Sequence, residues 1–279
     1  MDEIIVLASG SPRRRELLTQ IGIRFEVIPA LSEERMQSSD PEEICRRLAA
    51  VKAEEVAQRI TDARPAYNTQ ESEDRRTEYS EESAAGQTEV RSISGEEAAR
   101  HTENRNTSGE AVISSVPVGG IPRDVAASRR VRVIGADTIV VLRREILGKP
   151  KDAADAARML AALSGRAHEV MTGVCVIDIC EGRRVSEASF SECTKVFVSR
   201  LTPQEIEDYI ATGEPFDKAG SYGIQGVFAR YIERIDGDYN NVVGLPVGRL
   251  YREFLSEQSE TADAAPNASF LPRHACEQN

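Results

Sequence analysis

The chain has 279 residues, of which 29% are charged, and its formal net charge is −11 at pH 7. This acidic balance argues against a nucleic-acid-binding protein, because such proteins usually carry a basic surface. The five cysteines form no CxxC pair and no Cys/His pattern of a zinc site. Since the sequence shows neither a signal peptide nor an apolar span of 18 residues, we expect a cytoplasmic protein that does not cross a membrane.

Two stretches of the chain are too polar to form a packed core. Residues 65–130 are rich in Glu, Ser, Thr, Arg and Gly without a lasting apolar period, and residues 256–279 have the same character. Such segments bury too little apolar surface to offset the loss of chain entropy, so we expect both to be disordered. The remainder predicts a single domain over residues 1–255, interrupted by the polar insert at 65–130.

The predicted elements alternate between strand and helix at first and then cluster as strands, which is typical of a mixed α/β fold. Helix starts are marked by Ser11 before Pro12, by Asp40 before Pro41, and by a Thr202–Glu205 capping box. The apolar patterns predict strands at 3–8, 24–28, 131–142, 169–179 and 185–199, and helices at 12–21, 41–60, 152–163, 203–211 and 246–255.

A basic helix start follows the first predicted strand directly. Ser9 and Ser11 flank the turn that ends the strand, and Arg13 and Arg14 follow Pro12 in the first helical turn. A helix N-terminus presents N–H groups and a partial positive charge, so it suits an anion such as phosphate. Arginines at this end are mildly unfavourable unless an anion is bound. The alternative is a solvated basic turn on a surface helix.

Asp137 lies within the most apolar predicted strand, residues 131–142. A carboxylate in such a run is costly unless it is paired with a cation or bound to a metal. Its neighbours Gly135 and Thr138 indicate a close backbone approach and a hydroxyl in the same region. The alternative is an aspartate at a strand end that is hydrogen-bonded to a neighbouring turn.

Five further polar residues have settings that allow two interpretations. Lys52 falls on the edge of the apolar stripe of helix 41–60, where it either faces a site or extends to solvent. Lys149 lies in a tight turn and Glu33 in a loop, where solvated side chains are the default. His168, at a strand start, favours a hydrogen-bonded structural role over catalysis. Gln225 lies in a glycine-rich loop, where its amide can read the edge of a base.

Eight motifs occur in one order along the chain: Ala8-Ser-Gly-Ser-Pro-Arg-Arg14, Lys52-Ala, Gly135-Ala-Asp-Thr138, Leu147-Gly-Lys-Pro150, Leu163-Ser-Gly165 with His168, Asp217-Lys-Ala-Gly220, Tyr222-Gly-Ile-Gln-Gly226, and Gly237-Asp-Tyr239 to Pro246. Together they resemble the Maf family of nucleoside triphosphate pyrophosphatases. The resemblance implies an elongated α/β fold, shared with the inosine triphosphatases, in which a mixed sheet with flanking helices borders a central substrate cleft. The insert at 65–130 departs from the family pattern, and Ser32-Glu33 replaces the family's Asp-Glu.

The resemblance implies hydrolysis of a nucleoside triphosphate between the α and β phosphates, which gives the monophosphate and pyrophosphate. Asp137 then acts as the general base on the attacking water. Glu33 and Asp137 hold a divalent metal cation, Mg²⁺ in the first place and Mn²⁺ or Co²⁺ as alternatives. The phosphates are bound by Ser9, Ser11, Arg13, Arg14, Lys52 and Lys149.

Arg13, Thr138 and Gln225 match the positions that mark the family members preferring dTTP and UTP. The resemblance therefore implies a dTTP/UTP pyrophosphatase, with modified pyrimidine nucleotides as further substrates and a house-cleaning role in nucleotide metabolism. It also favours a homodimer. Two alternatives stay open: a 7-methyl-GTP pyrophosphatase with the same chemistry, and a nucleotide-binding regulator of cell division.

Overall fold

A computed structural model of the chain describes residues 3–32, 38–63 and 120–256. Within these ranges the strands are β1 (Glu3–Leu7), β2 (Glu26–Val27), β3 (Arg130–Leu142), β4 (Glu145–Leu147), β5 (Ala167–Cys180), β6 (Arg183–Val198) and β7 (Ile232–Asp236). The helices are α1 (Pro12–Gln20), α2 (Pro41–Ala63), α3 (Arg123–Ala127), α4 (Ala153–Leu163), α5 (Pro203–Ala211), α6 (Tyr239–Val243) and α7 (Val247–Leu250). Shorter turns complete the described part: 3₁₀ turns at Glu214–Asp217, Ala219–Ser221 and Val227–Tyr231, and a π-helical turn at Tyr251–Leu255.

The structure differs from expectation at the end of the predicted insert. Residues 120–130 are described, and the short helix α3 buries Val125 completely against α2. A helix of five residues is too short to show an apolar period, so the sequence pattern did not reveal it. Residues 65–119 of the insert, and the predicted tail beyond residue 256, lie outside the described residues.

The strands form one mixed sheet in the order β2-β1-β3-β5-β6-β7, with β4 paired to β3. Strand β1 runs parallel to β2 and β3, whereas the remaining pairs are antiparallel. This arrangement confirms the predicted mixed α/β fold. None of the helices in the described ranges is long and apolar enough to cross a membrane.

Helices cover both faces of the sheet. Helix α2 packs across β3 and β5 on one face, and its apolar residues form one core with those strands. Helices α1, α4 and α5 contribute to a second core on the opposite face. Successive residues of β3 point alternately into these two cores, so that Val133 lies in the first core and Ile134 in the second.

One edge of β3 is interrupted. Strand β1 pairs with it as far as Ile134, and β4 pairs with it again from Val140 onward. Because β5 occupies the other edge of β3, both partners must lie along the same edge. No strand of the described part of the chain pairs with residues 135–139 along that edge. The gap therefore coincides with the carboxyl end of the parallel strand β1, where α/β proteins commonly bind ligands.

Candidate active site

Asp137 lies in the middle of the gap and faces α2. Its Oδ1 atom is 2.5 Å from Nζ of Lys52, and Asp137 is only 6% exposed. The ion pair satisfies a carboxylate that burial in an apolar strand would otherwise destabilise. It also explains why Lys52 stands at the edge of the apolar stripe of α2: the ammonium group faces the gap, and its side chain is 15% exposed.

Two glycines allow α2 to approach the sheet closely enough to form this pair. A Cβ atom at Gly135 would lie 2.8 Å from N of Ala53 and closer still to O of Ala49. A Cβ atom at Gly173 of β5 would lie 2.6 Å from N of Arg46. Any side chain at either position would push the helix away from the strands. The close backbone approach predicted at Gly135 is thereby confirmed.

Thr138, the next residue of β3, faces the opposite side of the sheet, where it meets Arg14 of α1. Arg14 is 9% exposed and donates hydrogen bonds from Nη2 to Thr138 Oγ1 (3.0 Å), from Nη1 to Ser9 Oγ (2.9 Å) and from Nε to Gly244 O (2.8 Å). The guanidinium thus joins the end of β1, the gap in β3 and the turn after α6. The contact of Arg14 with phosphate stays a prediction.

Three other predicted phosphate ligands stand at the end of β1. Ser9 is 7% exposed, and its Oγ accepts a hydrogen bond from N of Ser11 (3.3 Å). Ser11 occupies the N-cap of α1, but its side chain makes no capping hydrogen bond, so the hydroxyl does not compete for the helix N–H groups. The side chain of Arg13 is 34% exposed, and its Nη1 atom is 3.6 Å from Oδ2 of Asp217.

The segment that carries Gln225 is anchored on both sides of that residue. The hydroxyl of Tyr209 accepts a hydrogen bond from N of Gly223 (3.2 Å), and the carboxylate of Glu214 accepts one from N of Val227 (3.0 Å to Oε1). Gln225 is exposed between these two anchors. Its amide is therefore accessible to a ligand, while the backbone that carries it is held in place.

His168 lies behind the same segment, buried at the start of β5. Its Nε2 is 2.7 Å from the hydroxyl of Tyr222, and the two rings meet edge to face. Burial lowers the pKa of His168 to about 4, so the imidazole is neutral at pH 7. This geometry agrees with the hydrogen-bonded structural role predicted for His168.

Of the two remaining predicted residues, Lys149 and Glu33, the structure describes only Lys149. Lys149 is exposed in the turn after β4, and O of the adjacent Gly148 accepts a hydrogen bond from N of Gly220 (3.0 Å). This bond ties the lysine turn to the segment that carries Gln225. Glu33 lies outside the described residues, so of the two predicted metal ligands the structure places only Asp137. The described ranges contain no group of three or more His, Cys, Asp or Glu residues arranged to hold a metal.

Two buried polar residues behind Thr138, Thr172 and Asn241, were not among the candidate site residues, although Asn241 lies within the motif that runs from Gly237 to Pro246. Oγ1 of Thr172, on β5, is 2.9 Å from Oγ1 of Thr138, and it donates a hydrogen bond to O of Asn241 (2.9 Å). Thr172 and Asn241 are both 0% exposed. A signal was available for Thr172, because it is a polar residue beside Gly173 in an apolar strand, the same setting that marks Asp137.

Comparison with known proteins connects this geometry to a family. The family model described as Maf-like protein matches residues 4–257. A protein of Agathobacter rectalis named dTTP/UTP pyrophosphatase is 42% identical over 249 residues, which cover 89% of this chain and 95% of the relative. Proteins of the same name from Lachnoclostridium phytofermentans and Carboxydothermus hydrogenoformans are 38% and 39% identical over 89% of this chain, covering 92% and 96% of their own lengths. The chain therefore belongs to the Maf family.

Proposed function

We propose that this chain is a nucleoside triphosphate pyrophosphatase that hydrolyses dTTP and UTP to the nucleoside monophosphate and pyrophosphate. The observation that carries the proposal is the Lys52–Asp137 pair in the open edge of β3, next to the basic start of α1. Relatives that align over 89% of this chain and bear the name dTTP/UTP pyrophosphatase support the choice of substrate. Modified pyrimidine nucleotides are further substrates, consistent with a house-cleaning role.

The triphosphate tail is a polyanion, and the proposed site offers it cations and hydrogen-bond donors from both sides of the gap. The N-terminus of α1 contributes its partial positive charge and the arginines of its first turn. Helix α2 contributes the ammonium group of Lys52, which already faces the gap. We assign the phosphates to the predicted set: Ser9, Ser11, Arg13, Arg14, Lys52 and Lys149.

Asp137 acts as the general base in the proposed reaction. A water molecule attacks the α-phosphorus while the Asp137 carboxylate accepts its proton, and the bond to the bridging oxygen breaks to release pyrophosphate. Lys52 holds the carboxylate in place and keeps a positive charge beside it. General-base assistance of this kind typically contributes about 10²- to 10⁴-fold to the rate.

A divalent cation, Mg²⁺ in the first place, belongs to the proposal. Mg²⁺ is usually held by one or two carboxylates together with substrate phosphates, and the buried carboxylate of Asp137 beside a phosphate site fits this requirement. Glu33 is the second proposed ligand, and Mn²⁺ or Co²⁺ are alternatives. Such a cation, when bound, neutralises charge on the phosphate oxygens.

Base recognition is assigned to Gln225. Arg13 and Thr138 are the other two positions that match the family members preferring dTTP and UTP. An amide presents a donor and an acceptor side by side, which matches the edge of a uracil or thymine ring. The two anchors that flank Gln225 hold its backbone in place, so that the amide can distinguish one base edge from another. The homodimer and the cytoplasmic location are also proposals, and sedimentation of the full chain tests the former.

Pyrophosphate release from dTTP, UTP, CTP, GTP, ATP and 7-methyl-GTP in the presence of Mg²⁺ tests the proposed function. We expect turnover of dTTP and UTP well above that of the other four triphosphates. Turnover mainly of 7-methyl-GTP would retain the chemistry and reject the assignment of Gln225. No turnover of any triphosphate would favour a nucleotide-binding regulator of cell division.

A further inference from the structure

We infer that Thr172 is a positioning residue of the active site, which acts through Thr138 and Arg14 on the Ser9 hydroxyl. A continuous chain of hydrogen bonds joins these four side chains across β5, β3 and the start of α1. The role assigned to Thr172 rests on the proposed function, because Ser9 is taken there as a phosphate ligand. Thr172 itself is fully buried and lies behind the gap in β3.

Proton counts fix the direction of each hydrogen bond in the chain. Thr172 has one hydroxyl proton, which it donates to the backbone carbonyl oxygen of the buried Asn241 at 2.9 Å. The contact of 2.9 Å between Thr172 Oγ1 and Thr138 Oγ1 therefore uses the proton of Thr138. Oγ1 of Thr138 in turn accepts from Nη2 of Arg14 at 3.0 Å, because a guanidinium can only donate.

The other end of the chain reaches the predicted phosphate site. Oγ of Ser9 accepts from Nη1 of Arg14 (2.9 Å) and from N of Ser11 (3.3 Å). These two bonds occupy both lone pairs of the hydroxyl oxygen, so Ser9 presents its proton to a ligand. A hydroxyl that accepts from a cation is a stronger donor, which suits a phosphate oxygen as its acceptor.

The chain is fixed at the end remote from the substrate. The side-chain Nδ2 of Asn241 donates to O of Val170 in β5 (3.0 Å) and to Oγ1 of Thr194 in β6 (2.9 Å). These bonds hold Asn241, whose backbone carbonyl accepts the Thr172 proton, against β5 and β6. Without the Thr172 hydroxyl, the Thr138 proton would turn toward O of Gly244, which lies 3.4 Å away.

That carbonyl of Gly244 already accepts from Nε of Arg14 at 2.8 Å. This oxygen has a second lone pair and can accept the Thr138 proton as well, but Oγ1 of Thr138 must then rotate toward it from 3.4 Å. The rotation displaces the acceptor of the Arg14 Nη2 bond and loosens one of the bonds that orient the guanidinium. Removal of the Thr172 hydroxyl is thus expected to reach Ser9 without any direct contact between Thr172 and the substrate.

Two variants of Thr172 of similar size separate positioning from packing. Thr172→Val removes the hydroxyl and keeps the shape of the side chain, whereas Thr172→Ser keeps the hydroxyl and removes a methyl group. We expect Thr172→Val to raise KM for UTP about tenfold with a smaller change in kcat, and Thr172→Ser to stay within about twofold of the parent. Thr172→Cys, a weak donor of similar volume, replaces the Val variant if that variant does not fold, and should give an intermediate KM.

A double-mutant cycle shows whether the effect passes through Ser9. In a Ser9→Ala background, Thr172→Val should change KM by less than about twofold, since the hydroxyl that it positions is absent. The inference would be overturned if Thr172→Val left KM unchanged, or if it raised KM equally in the parent and in the Ser9→Ala background. Either result would count even if the melting temperature of Thr172→Val falls. If the parent protein does not hydrolyse UTP, the proposed function fails by itself. In that case, calorimetric titration with α,β-methylene-UTP gives Kd in place of KM for the parent and the same variants. Equal Kd values for the parent and Thr172→Val would overturn the inference.

Discussion

Replacement of Gly135 by alanine should impair catalysis by moving α2 away from β3. The added Cβ would lie 2.8 Å from N of Ala53 and closer still to O of Ala49, whereas ordinary contact begins near 3.4 Å. Both obstacles are helix backbone, which cannot rotate aside, so the helix must retreat by about 1 Å. Forced overpacking of this kind typically destabilises a protein by about 1–3 kcal/mol.

The same movement separates Lys52, carried by α2, from Asp137, carried by β3. In the parent protein, Nζ of Lys52 is 2.5 Å from Oδ1 of Asp137. A misplacement of about 1 Å at a catalytic group can lower the rate by on the order of 10²-fold. We expect Gly135→Ala to lower both the melting temperature and kcat for UTP. These two quantities can be measured on one preparation by thermal unfolding and pyrophosphate release.

Gly248 of α7 provides a matched control. A Cβ atom there would meet its nearest neighbour, Nη1 of Arg252, at 3.6 Å, so alanine fits without displacement. Gly248→Ala should therefore keep kcat and leave the melting temperature unchanged or slightly raised, because alanine favours a helix over glycine. A Gly135→Ala protein with the kcat of the parent would refute the proposed dependence of catalysis on the approach of α2.

Two further predictions concern Gln225 and the buried His168 behind its segment. Gln225→Ala should reduce the preference for UTP over CTP by about tenfold or more while kcat for UTP changes less, because the exposed amide is assigned to the base and not to the phosphates; unchanged selectivity would reject the assignment. Burial lowers the pKa of His168 from 6.5 to about 4, so below pH 6.5 the unfolded chain binds a proton that the folded chain does not. The free energy of unfolding should consequently fall by about 2 kcal/mol between pH 7 and pH 5, measured by urea denaturation, and His168→Gln should lack this contribution. Equal pH slopes in the two proteins would contradict the buried, neutral imidazole.

Local signals were sufficient to predict much of the fold. The apolar run of β1, the break at Ser9 and the start of α1 at Pro12 all appear where the sequence indicates them. The Thr202–Glu205 capping box forms as predicted at the start of α5. These features depend on residues within a few positions of one another, which is why a sequence can reveal them.

Elements that depend on distant partners were not predicted. Strand β7 exists because it pairs with the last residues of β6, and its own five residues show only a weak alternation. The helix predicted over 246–255 is divided into α7 and a π-helical turn at Tyr251–Leu255. Here Phe254 stacks on Phe190 of β6, a tertiary contact that local propensity does not encode.

In the candidate site, the sequence indicated individual residues but not the contacts between them. Asp137 stood out in the sequence because a carboxylate is costly in an apolar strand, but its partner Lys52 lies 85 positions earlier. The acceptor of the Arg14 Nε bond, Gly244, is 230 positions away along the chain. Composition and spacing can nominate such residues, whereas their pairing is decided by the packing of α1 and α2 against the sheet.

The most direct test of the account compares pyrophosphate release from dTTP and UTP by the parent protein and by Asp137→Asn. Asn keeps the size of the side chain but is a much weaker base, so we expect turnover to fall by about 10²-fold or more while the protein stays folded by circular dichroism. Asp178→Asn is the matched control, because Asp178 forms an ion pair with Arg132 outside the candidate site, and it should keep the activity of the parent. Activity of Asp137→Asn equal to that of the parent would contradict the central claim that Asp137 is the general base of a pyrophosphatase.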